Sequence, residues 1–177
     1  MGKIKNLINL GKAFRGYKKR SSICHYKPLR LWIELTNFCN LRCVMCPNSS
    51  NHRIKKGYMD MELFKEIIDK VSPFVYDINL SHRGESLLHP KLIEMIDYAK
   101  SKNLHLRLNT NATLLTEEKS SQLIKSGLDF ISFSFDGFDR ETYEKIRRGA
   151  KFDKTVANIV NFLKIKKSLK SPVPYAL

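Results

Sequence analysis

Long apolar runs are missing from this 177-residue sequence. No stretch approaches the roughly eighteen apolar residues that a membrane-spanning helix needs. The amino terminus also lacks the apolar segment and small-residue cleavage site of a secretory signal peptide. Repeats and low-complexity tracts are absent as well. We therefore expect a cytoplasmic, globular protein, and the length predicts one main domain.

Cysteine is scarce, and its placement argues against a disulfide framework. Of the four cysteines, Cys39, Cys43 and Cys46 lie within eight residues of one another, while Cys24 stands apart. This set is too tight and too odd for paired disulfides, so ligation of a metal or a cluster is the better interpretation. No cysteine follows Cys46, so we expect no further cysteine-held cluster on this chain.

Acidic residues are absent from the first part of the sequence. Residues 1–30 contain nine of the 32 Lys and Arg residues and none of the 17 Asp and Glu residues. A rough helical period places Ile4, Leu7, Ile8 and Phe14 among these charges. We expect a basic amino-terminal arm that either packs on the main domain as a solvated helix or contacts an anionic membrane surface or nucleic acid.

Short β-rich runs alternate with longer amphipathic ones after this arm. The predicted strands cover 31–36, 76–81, 104–108 and 130–135. The last three start about 25 to 28 residues apart, which is typical of parallel strands joined by right-handed helical crossovers. We predict an α/β fold in the form of a partial (β/α) barrel of about four βα units.

Helix signals fill the intervals between these strands. Asp60 is a plausible N-cap for a helix with an apolar face that ends near Val71. Pro90 stands at a helix-starting position. Thr116 can cap a third helix, which Gly127 can close in a left-handed conformation.

The predicted core domain spans residues 31–163. Residues 164–177 are predicted to be a basic tail that leads to the start of a missing fifth strand. The fourth strand would then present unpaired backbone groups at the edge of the sheet. We therefore expect self-association at that edge.

The cysteine segment has the spacing C-x3-C-x2-C and begins three residues after the first predicted strand. Thiolates are soft ligands that suit zinc or iron-sulfur clusters. A structural zinc site needs four protein ligands, whereas three thiolates on a four-iron cube leave one iron open to a small molecule. Cys24, His25 or His52 could complete a zinc site. A basic zinc- or cluster-binding module that docks on nucleic acid therefore stays open as an alternative.

This cysteine loop resembles that of the radical S-adenosylmethionine (radical SAM) superfamily, and residues 31–163 resemble the amino-terminal part of a SPASM-like core domain, apparently truncated. The resemblance implies a [4Fe-4S] cluster held by Cys39, Cys43 and Cys46, S-adenosylmethionine at the open iron, and Met45 near its adenine. An external electron donor would permit formation of a 5'-deoxyadenosyl radical. That radical would abstract hydrogen from a peptide, a sugar or another biosynthetic substrate.

The segment after the second predicted strand is similar to the Gly-Gly-Glu-Pro motif of the family. Gly84 and Glu85 match it, and the resemblance implies that they hold the methionine amino group. Arg83 replaces the first glycine and Ser86 replaces proline. A glycine at such a position serves an unusual backbone angle or a close approach. His89 follows nearby and is expected to lead into the next helix.

The third and fourth predicted strands are followed by two more family-like segments. Thr-Asn-Ala-Thr-Leu-Leu resembles the family's Thr-Asn-Gly-Thr-Leu-Leu turn, with Ala112 in place of glycine, and implies that Asn111 contacts the cofactor. Ser-Phe-Asp-Gly resembles a Ser-Leu-Asp-Gly signature and implies that Ser134 faces the ribose or the carboxylate. Arg147 could donate to the same carboxylate. All four motifs follow strands and are expected at one end of the sheet.

Overall fold

A five-stranded parallel sheet forms the centre of the fold. A computed structural model describes residues 2–50 and 55–177, so the candidate zinc ligand His52 lies outside the described residues. The strands are β1 Arg30–Trp32, β2 Asp77–Asn79, β3 His105–Thr110, β4 Phe130–Phe133 and β5 Tyr175–Ala176. Neighbours in chain order pair in parallel throughout, in the order β1-β2-β3-β4-β5. The predicted α/β partial barrel is confirmed.

Helices connect the strands and cover the sheet. They are α1 Gly2–Lys18, α2 Pro47–Ser50, α3 Met61–Val71, α4 Leu92–Ser101, α5 Glu117–Lys125, α6 Arg140–Ile146 and α7 Phe152–Ser168, with a 3-10 turn at Ser86–Leu88. The main core joins strand residues such as Ile78 and Leu106 to Phe64 of α3, Met95 of α4 and Phe162 of α7, all fully buried. Burial of this apolar surface is the main favourable contribution to folding.

The predicted helix signals at Asp60, Thr116 and Gly127 act as expected. The Asp60 carboxylate accepts from the Glu62 amide at 2.8 Å, and the Thr116 hydroxyl accepts from the Lys119 amide at 3.2 Å. These caps satisfy N–H groups that have no partner inside the helix. Gly127 has φ +73°, the left-handed conformation that favours glycine. Backbone bonds, first of all from the Glu62 amide, hold the pKa of Asp60 below its usual value.

The carboxyl-terminal segment differs from the predicted tail of residues 164–177. Helix α7 continues to Ser168, and β5 pairs with β4 through hydrogen bonds that include Tyr175 N–H to the Asp129 carbonyl at 3.0 Å. Strand five is therefore present, and β4 is not the edge at which self-association was expected. A two-residue strand is too short to show the alternation on which strand prediction depends.

The basic arm forms α1, and a polar contact ties this helix to the segment that leads from it into β1. The Asn9 side chain donates to the Lys27 carbonyl and accepts from the Lys27 amide, both at 2.9 Å, and Asn9 is buried. Within the described ranges 2–50 and 55–177, no helix is both long and apolar enough to cross a membrane.

Candidate functional site

The cysteine loop, residues 39–46, lies at the carboxyl-terminal end of the sheet. Its backbone pairs with the chain that follows α6. The Arg42 amide donates to the Arg148 carbonyl at 2.9 Å, and the Val44 amide donates to the Ile146 carbonyl at 3.0 Å. Two backbone bonds therefore fix the middle of the loop.

A small second core also holds the loop in place. Leu41, Cys43, Tyr143 and Ala150 are buried together, apart from the main core. The rings of Phe135 and Tyr143 stack, with their centroids 4.5 Å apart. Stacked aromatic rings in such a cluster add stability beyond the burial of their area. Cys43 is therefore packed within an apolar cluster.

All nine residues predicted for the site line one cavity of about 190 Å³. They come from the cysteine loop, from the loops after β2, β3 and β4, and from the end of α6. The residues are Cys39, Cys43, Met45, Cys46, Gly84, Glu85, Asn111, Ser134 and Arg147. Because parallel strands direct their carboxyl ends to the same edge, motifs far apart in sequence meet at this cavity.

The ionisation of the thiols reflects their crowding. Burial raises the pKa of Cys39, and the charges of Glu85, Cys43 and Cys46 raise it further, while a hydrogen bond from the Leu41 amide lowers it. Burial also raises the pKa of Cys43, although the nearby Arg147 guanidinium acts in the opposite direction. Ligand thiols must lose their protons to bind a metal, so a cationic centre among them would relieve this mutual repulsion.

The donor set fits a cluster better than a single ion. Among residues 2–50 and 55–177, no three His, Cys, Asp or Glu side chains come close enough to hold one metal ion. A tetrahedral zinc with Zn–S bonds of about 2.3 Å needs its sulfur ligands in close contact with one another, whereas a four-iron cube separates them. Cys24 is exposed, and its thiol contacts the Tyr26 hydroxyl at 3.5 Å. Of the candidate fourth ligands, Cys24 therefore lies apart from the three loop thiols.

Gly84 is required because of a close backbone approach. A Cβ atom at this position would lie 2.0 Å from the Thr36 carbonyl oxygen and 2.8 Å from that of Phe38. The next amide, that of Glu85, donates to the Phe38 carbonyl at 2.8 Å. Arg83 is not among the residues with a positive φ, so its replacement of the family's first glycine causes no strain of that kind. The loop after β2 thus rests directly on the segment that leads into the cysteine loop.

Glu85 joins the loops after β2 and β3. Its side chain is buried, and both carboxylate oxygens accept hydrogen bonds, one from the Leu87 amide at 3.0 Å and the Thr110 hydroxyl at 2.9 Å, the other from the Asn111 amide at 2.8 Å. Burial raises the pKa of Glu85, while these donors act to lower it. The carboxylate therefore has a structural role in addition to any contact with a ligand.

Replacement of Glu85 by glutamine tests this structural role. All three groups on the carboxylate donate through N–H or O–H, so the new amide nitrogen would face at least one backbone N–H and leave it unpaired. We expect the free energy of unfolding to fall by about 1–3 kcal/mol, the cost of a buried unsatisfied group. Urea unfolding of the cofactor-free chain measures this change.

The matched control is Glu94→Gln, at an exposed position in the first turn of α4. Surface changes of this kind alter stability by about 0.5 kcal/mol or less. Equal unfolding curves for the Glu85 and Glu94 variants would contradict the structural role of the Glu85 carboxylate.

Asn111 faces the cysteine loop. Its amide donates to the Asn40 side chain at 3.0 Å and approaches the Cys39 sulfur at 4.0 Å, while its oxygen accepts from the Thr113 amide at 3.0 Å. Ala112, which replaces the family's glycine, has φ +58°. Alanine thus takes the left-handed conformation that glycine adopts at no steric cost. Asn40 was not singled out by the sequence, because asparagine in a loop is usually a turn former.

Arg147 is held between an acidic side chain and a thiol. Its Nε donates to Asp136 at 2.7 Å, and Nη1 approaches the Cys43 sulfur at 3.9 Å. Asp136 belongs to the Ser-Phe-Asp-Gly segment. The resemblance of this segment to the family signature was used to predict Ser134 but not Asp136. Ser134 continues the β3-β4 pairing through its amide, and Met45 lies half exposed at the rim of the cavity.

His89 has a structural position. Its Nδ1 accepts from the Lys91 amide at 3.1 Å, which leaves Nε2 to donate to the Met59 carbonyl at 3.0 Å. The ring is buried and lies outside the cavity lining. These two bonds close a turn, and α4 begins after it, at Leu92 and not at Pro90.

Comparison with known proteins identifies relatives of the chain. A model described as the Radical SAM superfamily matches residues 33–171. An AdoMet-dependent heme synthase of Methanosarcina barkeri is 36% identical over 128 residues, which are 71% of this chain and 36% of that protein. The mycofactocin maturase MftC of Mycobacterium tuberculosis is 32% identical over 135 residues, which are 76% of this chain and 34% of that protein. The chain spans about a third of the length of these relatives.

Solved structures share the fold. BtrN in complex with AdoMet and 2-DOIA has a TM-score of 0.57 and 26% identity, covering 71% of this chain and 53% of that one. The enzyme anSMEcpe with bound AdoMet has a TM-score of 0.64 and 26% identity, covering 79% and 40%. Streptococcus suis SuiB bound to S-adenosylmethionine has a TM-score of 0.69 at 17% identity, covering 88% and 35%, and shows the fold alone.

Proposed function

The chain belongs to the radical SAM superfamily, whose cofactors are a [4Fe-4S] cluster and S-adenosylmethionine, and we propose that Cys39, Cys43 and Cys46 hold that cluster in this chain. The observation that carries the proposal is the shared cavity, which the three thiols line together with residues from the loops after β2, β3 and β4. S-adenosylmethionine would bind in the same cavity.

When bound, the reduced cluster supplies the electron that cleaves S-adenosylmethionine into methionine and a 5'-deoxyadenosyl radical. The residues of this chain would bind and orient that cofactor. Because Gly84 has no side chain, the loop after β2 can lie directly against the carbonyls of Thr36 and Phe38 at the cavity. Glu85 would place negative charge near the positive amino group of S-adenosylmethionine. Ser134 and Arg147 supply hydrogen-bond donors for a carboxylate, which would share the guanidinium with Asp136.

Two further side chains would complete the arrangement. Met45, at the rim of the cavity, is placed to pack against an adenine ring. Asn111 positions the first cysteine of the loop through Asn40 and its approach to the Cys39 sulfur. Ligand orientation by such neighbouring groups typically changes metal affinity or activity 10- to 100-fold.

The proposed reaction is hydrogen abstraction from a biosynthetic substrate, with an external electron donor for the cluster. Among a peptide, a sugar and other substrates, a peptide is supported by two of the relatives. A PqqA peptide cyclase of Gluconobacter oxydans is 31% identical, and anSMEcpe was solved with AdoMet and the Cp18Cys peptide. The alternative, a metal-binding module on nucleic acid, is favoured only by the net charge of +15.

Anaerobic reconstitution of the chain with iron and sulfide tests the proposal. We expect about four irons and four sulfides per chain, an absorption and electron paramagnetic resonance spectrum that S-adenosylmethionine perturbs, and release of 5'-deoxyadenosine under a strong reductant. One tightly bound zinc with no sulfide would overturn the proposal in favour of the module. A cluster that S-adenosylmethionine leaves unperturbed would remove the proposed cofactor site.

A further inference from the structure

Helix α1 packs on the segment between α1 and β1 with a face that does not carry its large apolar side chains. The residues that turn inward recur at helical spacing and are small or polar: Asn6, Asn9, Ala13 and Gly16. Asn9 is 8% exposed and is bonded to Lys27 in both directions. Gly16 lies against the Tyr26 ring, so that a Cβ there would be 3.3 Å from it. The attachment is therefore polar and close.

A row of larger apolar side chains runs along α1 beside its inward face, about 100° around the helix from it. We call it the outward row, and its members are one position along from the inward residues: Leu7, Leu10, Phe14 and Tyr17, which are 69%, 51%, 60% and 78% exposed. Apolar side chains that recur at helical spacing are usually buried against the core. Exposed apolar residues that form a continuous row on one helix mark an interaction surface.

A row of positive charges occupies a third side of α1 and meets the outward row where Lys18 lies next to Phe14. This basic row consists of Lys12, Arg15 and Lys18, all exposed. The Lys18 ammonium lies over the Phe14 ring, 5.5 Å from its centroid. Long basic side chains can extend their charge toward lipid headgroups while their stems cover apolar surface. Residues 1–30 contain no acidic residue that would neutralise this row.

The apolar surface continues from the helix onto the domain. A groove of about 560 Å³ opens beside Leu7 and Leu10, and Leu29 and Tyr76 line its far side. Leu29 precedes β1 and Tyr76 precedes β2. The groove therefore lies at the amino-terminal ends of the strands, at the opposite end of the sheet from the cysteine cavity.

We propose that α1 is an interfacial helix that binds an anionic phospholipid bilayer, with the outward row in the headgroup region and the basic row on the lipid phosphates. The combination of apolar row and uncompensated positive charge is what such helices present. Nucleic acid would use the charges and leave four apolar side chains in water. A second copy of the chain would bring two strongly positive arms together, since each chain carries +15.

Binding to a bilayer through α1 would set the orientation of the domain relative to the lipid. The groove and the outward row lie at the amino-terminal ends of the strands, and the cysteine cavity lies at the carboxyl-terminal ends. A chain bound to the bilayer through α1 would turn the cavity away from the lipid. The inference concerns a surface remote from the cofactor site and does not rest on the proposed function.

Vesicle co-sedimentation of the full 177-residue chain tests the proposal without any cofactor. We expect binding to vesicles of phosphatidylcholine with about 30% phosphatidylglycerol at about 0.1 M NaCl, and at least tenfold weaker binding to phosphatidylcholine alone. Each cationic side chain near an anionic surface strengthens binding roughly fivefold. The triple change Lys12→Gln, Arg15→Gln and Lys18→Gln should therefore weaken binding about 100-fold.

Matched variants separate lipid insertion from simple charge attraction. Leu10→Gln with Phe14→Gln keeps good helix formers in α1 and should weaken vesicle binding at least tenfold. The control pair, Leu163→Gln with Phe138→Gln, removes apolar side chains that are 44% and 94% exposed elsewhere and should bind as the parent does. For the charges, the control is Lys125→Gln with Lys154→Gln and Lys167→Gln, three exposed lysines outside α1.

Three outcomes would overturn the proposal. The first is equal binding to neutral and anionic vesicles. The second is that the Leu10 and Phe14 double variant binds anionic vesicles as the parent does and that the chain is also retained on duplex DNA. This result would assign the arm to nucleic acid. The third is equal loss of binding with the two charge triples, which would reduce the effect to net charge.

Discussion

Replacement of Cys43 by serine is expected to abolish cluster binding while leaving the fold intact. Cys43 is the most deeply buried of the three loop thiols, at 7% exposed, and its sulfur lies 3.9 Å from the Arg147 guanidinium. A serine hydroxyl has nearly the same size but is a hard, weakly acidic ligand that iron-sulfur clusters bind poorly. The loop, held by backbone bonds and by the Tyr143 cluster, should keep its shape.

The loss of cluster binding in Cys43→Ser should exceed the change of about 10- to 100-fold that follows when a group that only orients a ligand is replaced. Iron and sulfide per chain after anaerobic reconstitution, together with 5'-deoxyadenosine release under reductant, measure it. Thermal unfolding of the cofactor-free variant should match that of the parent, which distinguishes loss of a ligand from loss of the fold.

Cys24→Ser is the matched control. Cys24 is exposed, lies between α1 and β1, and does not line the cavity. The variant should retain the iron and sulfide of the parent. If Cys43→Ser still bound about four irons, or if Cys24→Ser lost its metal, the ligand set Cys39, Cys43 and Cys46 would be wrong.

The convergence of the predicted site residues on one cavity could be expected from the sequence, because one rule governs it. In a parallel sheet with helical crossovers, every strand ends at the same edge, so segments that follow strands converge there. Asn111 and Ser134 are 23 positions apart in sequence and line one cavity because β3 and β4 are neighbours. The alternation of strand and helix signals was enough to assign both to that edge.

Other features depend on contacts that no local pattern records. The need for glycine at position 84 arises from the carbonyl of Thr36, which is 48 positions away. The pairing of β5 with β4 depends on where α7 ends and returns the chain to the sheet. The period of α1 indicates an apolar row but not which row packs inward, and the bonds between Asn9 and Lys27 decide that.

Replacement of Gly84 by alanine has the largest expected effect on folding. The new Cβ would lie 2.0 Å from the Thr36 carbonyl oxygen and 2.7 Å from its carbon. Both are backbone atoms, so no side-chain rotation can relieve the overlap. The loop after β2 would have to shift, and the shift would strain the bond from the Glu85 amide to the Phe38 carbonyl and the three bonds to the Glu85 carboxylate.

We expect Gly84→Ala to lower the free energy of unfolding by roughly 3 kcal/mol, at the upper end for overpacking, and to weaken S-adenosylmethionine binding because the same loop lines the cavity. Urea unfolding of the cofactor-free chain measures the first effect. Gly57→Ala is the control, since a Cβ there meets nothing within 4 Å, and it should change stability by no more than about 0.5 kcal/mol. Equal stability of the two variants would show that the loop does not lie against Thr36, and the geometry of the ligand cavity described above would then be incorrect.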